Sequence, residues 1–477
     1  MFRDAGVQFG APRCPLFAAF DRRRHLSALP PAEVDRDPVD RDPVDPGETR
    51  RAERRYALEV RRNLTRNYVA HLLHGMLGQT GFRLVNAPTF MPAYLLMLSG
   101  GSKFAVGLGL ALQSAGMMLT PLWGATLIEH RAKVLPVAFT TGSGMRFAVL
   151  AIGLVGFWLT GAAALWSVML FLALLGVFSG MQGVIFNFLM SKVIPVNKRG
   201  RLTGWRNFLA GIISAGVAWI AGSWFLGTTP TASGYSWTFV LAFVLTSIGM
   251  LCLVRIVEPV APTRRPRQPI WRRLRDVPRL LAEEPAFGRY VVARTVATMG
   301  RMAMPFYILY EGRLFEGARG ALDGHTLATL TISFTLSGTV SNLFWGGLAD
   351  RRGYRIAFLL SIVLWVLSTL LLLVPGGGAW LTNVVFIGIG AAVQGFQNAS
   401  MNLSLEFGHR DDLPVRIAIA STASEAAGTL GPLLGGGLAA AFGYPVVFVA
   451  SVAFLVVGAI VVMYWVPEPR DAARRYL

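Results

Sequence analysis

Trp345-Gly-Gly-Leu-Ala-Asp-Arg-Arg352 closes one long apolar run and stands just before another; Trp123-Gly-Ala-Thr-Leu-Ile-Glu-His-Arg131 does the same earlier in the chain. Other segments pair in the same order. Gly180-Met-Gln-Gly-Val-Ile-Phe-Asn187 corresponds to Ala392-Val-Gln-Gly-Phe-Gln-Asn398, and each is followed by an arginine opening the next run, Arg201 or Arg416. Gly81-Phe-Arg83 with Pro88 and Pro92-Ala-Tyr94 corresponds to Gly300-Arg301 with Pro305-Phe-Tyr307. Ordered self-similarity of this kind marks a duplicated architecture.

The material between these motifs is membrane-like. Of the 477 residues, 53% are hydrophobic and only 15% are charged, where a soluble globule carries about 25%. Twelve apolar runs fall between residues 68 and 466. A helix needs about 20 apolar residues to cross the hydrocarbon. The runs are continuous rather than alternating, which excludes barrel strands. The expected fold is an all-α membrane protein with 12 transmembrane helices in two pseudo-symmetric six-helix bundles, residues 67–257 and 287–466. Residues 258–286, rich in Pro and Arg, form a linker; Trp271, Leu274 and Leu281 at helical spacing suggest a short helix on the membrane surface. Residues 1–66, with the near-repeat Val34 to Pro46, are expected to be a disordered cytoplasmic tail, without the pattern of a signal peptide. Residues 467–477 form a second cytoplasmic tail.

The formal charge of +19 sits between the runs. Alternate connections hold Arg131 and Lys133, Lys198 to Arg201, Arg264 to Arg275, and Arg351 to Arg355, while the opposite connections are nearly bare. This asymmetry places both termini in the cytoplasm and accounts for the charge without nucleic acid. Cys14 and Cys252 allow no disulfide framework. No metalloprotease helix, nucleophile elbow, phosphate-binding loop or Cys/His ligand set is present, so neither an enzyme nor a resident cofactor or metal is expected.

Over residues 67–466 the sequence resembles the major facilitator superfamily of secondary transporters. The resemblance rests on Gly346-Gly-Leu-Ala-Asp350-Arg351-Arg352-Gly353-Tyr354-Arg355, similar to that family's Gly-x-x-x-Asp-Arg-x-Gly-x-Arg loop. It implies gating roles for Gly346, Asp350, Arg351, Gly353 and Arg355. The N-terminal copy, with Glu129 and Arg131, has Glu for Asp and lacks the second glycine. The resemblance also implies a bacterial inner-membrane location, a monomer in the lipid bilayer, and a cavity lined by runs one, four, seven and ten. Gly431-Pro432 with Gly435-Gly436 resembles the superfamily's antiporter motif, displaced from run five to run eleven, and supports export.

Ionisable residues inside membrane runs are costly and face a cavity or a partner. Arg83 shares a helix face with Gln79 and Asn86, and Arg301 is central in run seven. With Gln182, Asn187, Gln394, Gln397 and Asn398 from runs four and ten, these form the expected substrate site. Glu425, central in run eleven, is either a carrier of coupling protons or an ion-pair partner of an arginine. Arg146 has no evident role beyond a partner such as Gln113, and His71 and His74 read as packed residues. The small-molecule substrate is then a drug or metabolite exported in exchange for protons; the alternatives are an organic anion held by Arg83 and Arg301, or a transporter-like sensor.

Overall fold

The computed structural model describes residues 46–260, 277–279, 281–316, 323–374, 378–407 and 413–468. The N-terminal residues before Pro46, most of the expected surface helix of the linker, and the tail after residue 468 lie outside the described residues.

Helix α1 spans Pro46–Arg62, where the sequence reading expects disorder. Its Tyr56 hydroxyl donates to the carbonyl of Lys192 at 2.7 Å, and Val60 is buried. Burial pushes the Tyr56 phenol above its usual pKa, against the opposing pull of Arg199. These two apolar anchors are what the compositional argument overlooked.

The membrane body of the N-terminal half follows as α2 (Leu64–Asn86), α3 (Phe90–Leu98), α4 (Lys103–Ile128), α5 (Leu135–Trp158), α6 (Gly161–Val193), α7 (Val196–Ile220, prolonged by a π turn Ala221–Leu226) and α8 (Ala232–Cys252). The C-terminal half contains α9 (Pro285–Met299), a 3-10 turn Gly300–Ala303, α10 (Met304–Glu316), α11 (Gly324–Arg352), α12 (Tyr354–Leu371), α13 (Gly378–Leu405), α14 (Leu413–Phe442) and α15 (Tyr444–Trp465). Adding seven to a label gives the counterpart in the other half. α2 packs on α7 and α8, and α9 on α14 and α15; α6 packs on α4 and α5, and α13 on α11 and α12; α5 packs on α8, and α12 on α15. Tyr94 of α3 stacks on Tyr235 of α8 at 5.0 Å, and Tyr307 of α10 stacks on Phe448 of α15 at 5.2 Å. The halves meet along two seams, α4 with α14 and α7 with α11, which the same relation exchanges.

Among the described residues, nine helices are long and apolar enough to span a membrane. The helices that fall short are the broken pairs α2–α3 and α9–α10, together with α14. α3, α9 and α10 fall short in length because their helices are broken, and the broken pairs with α14 hold Arg83, Arg301 and Glu425.

The two ends of the body differ. At the end bearing Arg131, Lys133, Lys198 and Arg351, hereafter the basic end, a carboxylate reaches the start of the third long helix of each half. Glu258, just after α8, accepts from the backbone N–H of Val134 and Leu135 at 2.8 Å and from Lys192 at 2.5 Å. Both ion-pair partners are buried. Glu468, just after α15, lies against Gly353 at the start of α12, where an added Cβ would stand 3.0 Å from its carboxylate. Gly353 also has φ +91°, which only glycine adopts without strain. Arg355 ties the same corner by donating to the carbonyl of Met463 at 2.6 Å. Anions at helix N-termini are favoured by unpaired N–H groups and the helix dipole.

Glu258→Gln should therefore lower stability by about 3–5 kcal/mol, since it leaves Lys192 as an uncompensated buried charge. Thermal unfolding in detergent reads this directly. Adding Lys192→Met should recover only part of the loss, because the glutamine offers a neutral acceptor where the carboxylate's charge capped the α5 start; full recovery would show that the charge contributes nothing there.

Candidate functional site

A cavity of about 550 Å³ lies between the halves, at the breaks in α2–α3 and α9–α10. The charged side chains on its wall are Arg83, Arg301 and Glu425. The breaks follow from sequence: Pro88 and Pro92 interrupt one helix, and Gly300 with Pro305 interrupts the other.

Each charged group is held differently. Arg83 donates from Nη1 to Thr339 Oγ1 at 3.1 Å and from Nη2 to the Asn207 carbonyl at 3.3 Å. Thr339 in turn donates to the Thr335 carbonyl at 2.8 Å, which fixes its lone pairs toward the guanidinium. Arg301 and Glu425 face each other across Gly428. From the position of an added Cβ there, Glu425 Oε2 is 3.4 Å away, Arg301 Nη1 3.7 Å and Ser114 Oγ 3.7 Å. Among the described residues no salt bridge within 4.0 Å joins Arg301 or Arg83 to Glu425. Asn86 accepts from Gln113 at 2.8 Å and donates to the Phe82 carbonyl, so its amide is locked. Gln394 and Gln397 also reach the wall.

Other residues expected at the site lie elsewhere. Gln182 accepts from Thr141 at 2.7 Å, inside the N-terminal half. Asn187 is exposed near the basic end of α6, and half-buried Gln79 does not line the cavity. Asn398 donates to Asn342 and accepts from Gln394 at 3.1 Å, supporting the wall without reaching it. Residues one turn apart in a repeated motif share a face only if the spacing fits 3.6 residues. The motif pairing of Gln182 with Gln394 ignores which face each half turns inward. The reading also missed Asn207, Ser114, Met117, Met145, Met304 and Phe334. Asn207 and Ser114 are polar residues inside apolar runs, a signal that was available.

Arg146 is not partnered by Gln113. It donates to the carbonyls of Thr246 and Gly142, each at 2.7 Å, within the N-terminal half. His71 and His74 pack on Phe186, at 5.2 and 4.8 Å between ring centroids.

Among the described residues, the close contacts between the halves gather at one end of the cavity. Away from the basic end, Gly222 and Gly324 pack so closely that a side chain on either would strike the other's carbonyl, and the N–H of Gly324 donates to Gly227 at 2.7 Å. Thr89 bonds Thr331 at 2.7 Å. Lys103 donates to the Ala439 carbonyl at 3.0 Å and sits over the Tyr444 ring. Gly107 abuts Pro432 and Gly436. Toward the basic end, the last described contacts between halves are Gly211 with Thr339 and Met118 with Thr422. Beyond them Gly200, Gly204, Gly346 and Gly347 have nothing within 4 Å, and Trp123, Trp205, Leu343 and Phe344 are exposed. Asp350 and Arg351 are exposed there too, as is Arg131.

The seam between α7 and α11 carries a mirrored spacing. Gly222 packs on Ala328 and Gly211 on Thr339. Two turns further along the same faces come Gly204 and Gly346, and one turn beyond those come Gly200 and Asp350. The first two pairs touch; the last two are parted.

Comparison with known proteins agrees with this geometry. The family model described as Major Facilitator Superfamily matches residues 318–476. The multidrug resistance protein MdtG of Enterobacter lignolyticus is 32% identical over 156 residues, 32% of this chain and 37% of that protein. MdtG of Dickeya zeae is 29% identical over 175 residues, 36% of this chain and 42% of that one. The matched stretch thus spans less than half the length of these relatives. Among solved structures, the D-xylose-proton symporter superposes with TM-score 0.65 at 13% identity, covering 85% of this chain and 99% of that one. A variant of the nucleoside transporter NupG superposes with TM-score 0.66 at 12% identity, covering 83% and 98%. Residues 318–476 thus match the Major Facilitator Superfamily model, and the membrane body shares the fold of these solved transporters.

Proposed function

We propose that the protein exports a small organic solute across a bacterial inner membrane by alternating access, with protons entering in exchange at Glu425. One observation carries the reading. A central cavity that gathers Arg83, Arg301 and Glu425 is sealed at one end by close-packed glycines and parted at the other. The basic end is the cytoplasmic one under the positive-inside rule, so this state faces the cytoplasm. The name of the relatives, multidrug resistance protein, supports the direction. Glu425 is the acidic side chain on the cavity wall, and a carboxylate there exchanges protons with whichever side the cavity faces.

The mirrored seam supplies the second state. Rocking the halves brings Gly204 onto Gly346 and Gly200 toward Asp350, while Gly222 and Gly324 separate. Small residues permit the close approach on both sides. Asp350 and Arg351 then stand at the cytoplasmic rim, where they gate the closed form.

Two measurements test this. In a chain with Cys14 and Cys252 replaced by Ala, Gly204→Cys with Gly346→Cys should form a disulfide under mild oxidation, and transport should stop until the bond is reduced. A disulfide requires Cα atoms roughly 4.4–6.8 Å apart, so no cross-link during turnover would rule out this closure. Separately, Glu425→Gln in proteoliposomes should lose flux driven by a proton gradient and keep substrate exchange without one. Loss of both would make Glu425 a structural or substrate-binding residue instead.

A further inference from the structure

We infer that the substrate class is an amphipathic monoanion, its acid group docked on Arg83 and its apolar body on the methionine-lined wall. This inference rests on the cavity being the transport site, as proposed above, and names what that site selects.

The argument starts from a charge count. The wall holds two guanidiniums and one carboxylate. Glu425 and Arg301 converge on the same spot beside Gly428, whereas Arg83 is held by Thr339 and Asn207. Arg83 bonds only neutral acceptors, a threonine hydroxyl and a main-chain carbonyl. A guanidinium in a low-dielectric setting gains most from an anionic, planar or trigonal partner that takes two of its five donors. Two of its five donors make these bonds, and the side chain lines the cavity, where an anion meets the others.

The remaining wall fits the other end of such a molecule. Met117, Met145, Met304 and Phe334 offer polarizable, adaptable apolar surface. Gln394 and Gln397 supply neutral hydrogen bonds that orient a ligand without demanding charge. A lipophilic cation, by contrast, meets a wall of net positive charge and has one carboxylate, already close to Arg301. Unpaired like charges work against it.

Three probes with one ring and three charges read the selectivity: naphthalene sulfonate, naphthalene sulfonamide and a naphthylmethyl-trimethylammonium. The sulfonate stays ionised at every working pH, so its charge is independent of any proton step. Binding is read by thermal shift of the detergent-purified full chain, and flux in proteoliposomes. The sulfonate should bind roughly tenfold or more tightly than either analogue, the size of one charge-assisted hydrogen bond. Arg83→Gln should bring it down to the level of the sulfonamide, and Arg83→Lys should retain part of the preference. Equal affinities, a preference for the cation, no binding by any probe, or a sulfonate preference that survives Arg83→Gln each overturns the anion site. The selectivity on the unsubstituted chain decides the matter even if the Arg83 variants fold poorly. Failure here leaves alternating access standing, because the Gly204–Gly346 cross-link tests closure without reference to the probe.

Discussion

A charge in hydrocarbon must find a partner or water, and this cost organises the molecule. Inserting an arginine or aspartate at mid-helix costs about 2.5–3.5 kcal/mol on insertion scales. Arg83, Arg301 and Glu425 avoid it by sharing one cavity between the halves. Everything nearby follows from keeping that cavity. Both helices that frame it are broken, and its wall mixes Gly, Pro and polar side chains with Met, Leu and Phe. Among the described residues, the charges sit in the broken segments α2–α3 and α9–α10 and in α14, which are not among the long apolar helices.

The second constraint is that two bodies must touch equally well in two ways. If one facing state were far more stable, no substrate of ordinary affinity would shift it, since a ligand moves an equilibrium only by its differential affinity. The α7–α11 seam meets this by repetition. Gly222 opposite Ala328, Gly211 opposite Thr339 and Gly204 opposite Gly346 follow one spacing through the bilayer, with Gly211 and Thr339 near the middle as the fulcrum. Arg83 bonds Thr339 at this same fulcrum. Arg83 thus stands where the described contacts between the halves persist toward the basic end. The carboxylates Glu258 and Glu468 work the other way: each fastens the corner of a single half, so the half moves as a unit.

Much of this was legible in the chain. The repeat and the run lengths gave the helical fold, and the cost of membrane charge gave Arg83, Arg301 and Glu425, all of which line the cavity. Asn86 followed from the helix face it shares with Arg83, and Gln394 and Gln397 from the family resemblance of run ten; all three line the cavity. Gln182 and Asn187 did not, because matching two halves by motif fixes neither the rotation nor the tilt of a helix. Glu258 was hidden for a different reason. Its partners Lys192 and Val134 are far away in sequence, and a glutamate before a proline at a helix end looks like any linker residue. Helix α1 was obscured by the polar tail before it, since two anchoring side chains among many arginines barely alter composition.

The arginines of the N-terminal half show why charge alone does not mark a site. Arg146 is as deeply placed as Arg83, and its donors end on the carbonyls of Thr246 and Gly142, with its guanidinium near the Phe82 ring. Arg206 lies over Phe186, whose ring also packs against His71 and His74. Both are enclosed among elements of one half, and no opening of the seams would bring a ligand to them. Arg83 bonds across from one half to the other, at the edge of empty space. The same side chain is thus enclosed within one half in one place and set on the cavity wall between halves in another. What separates them is whether the surrounding groups belong to one rigid body or to two.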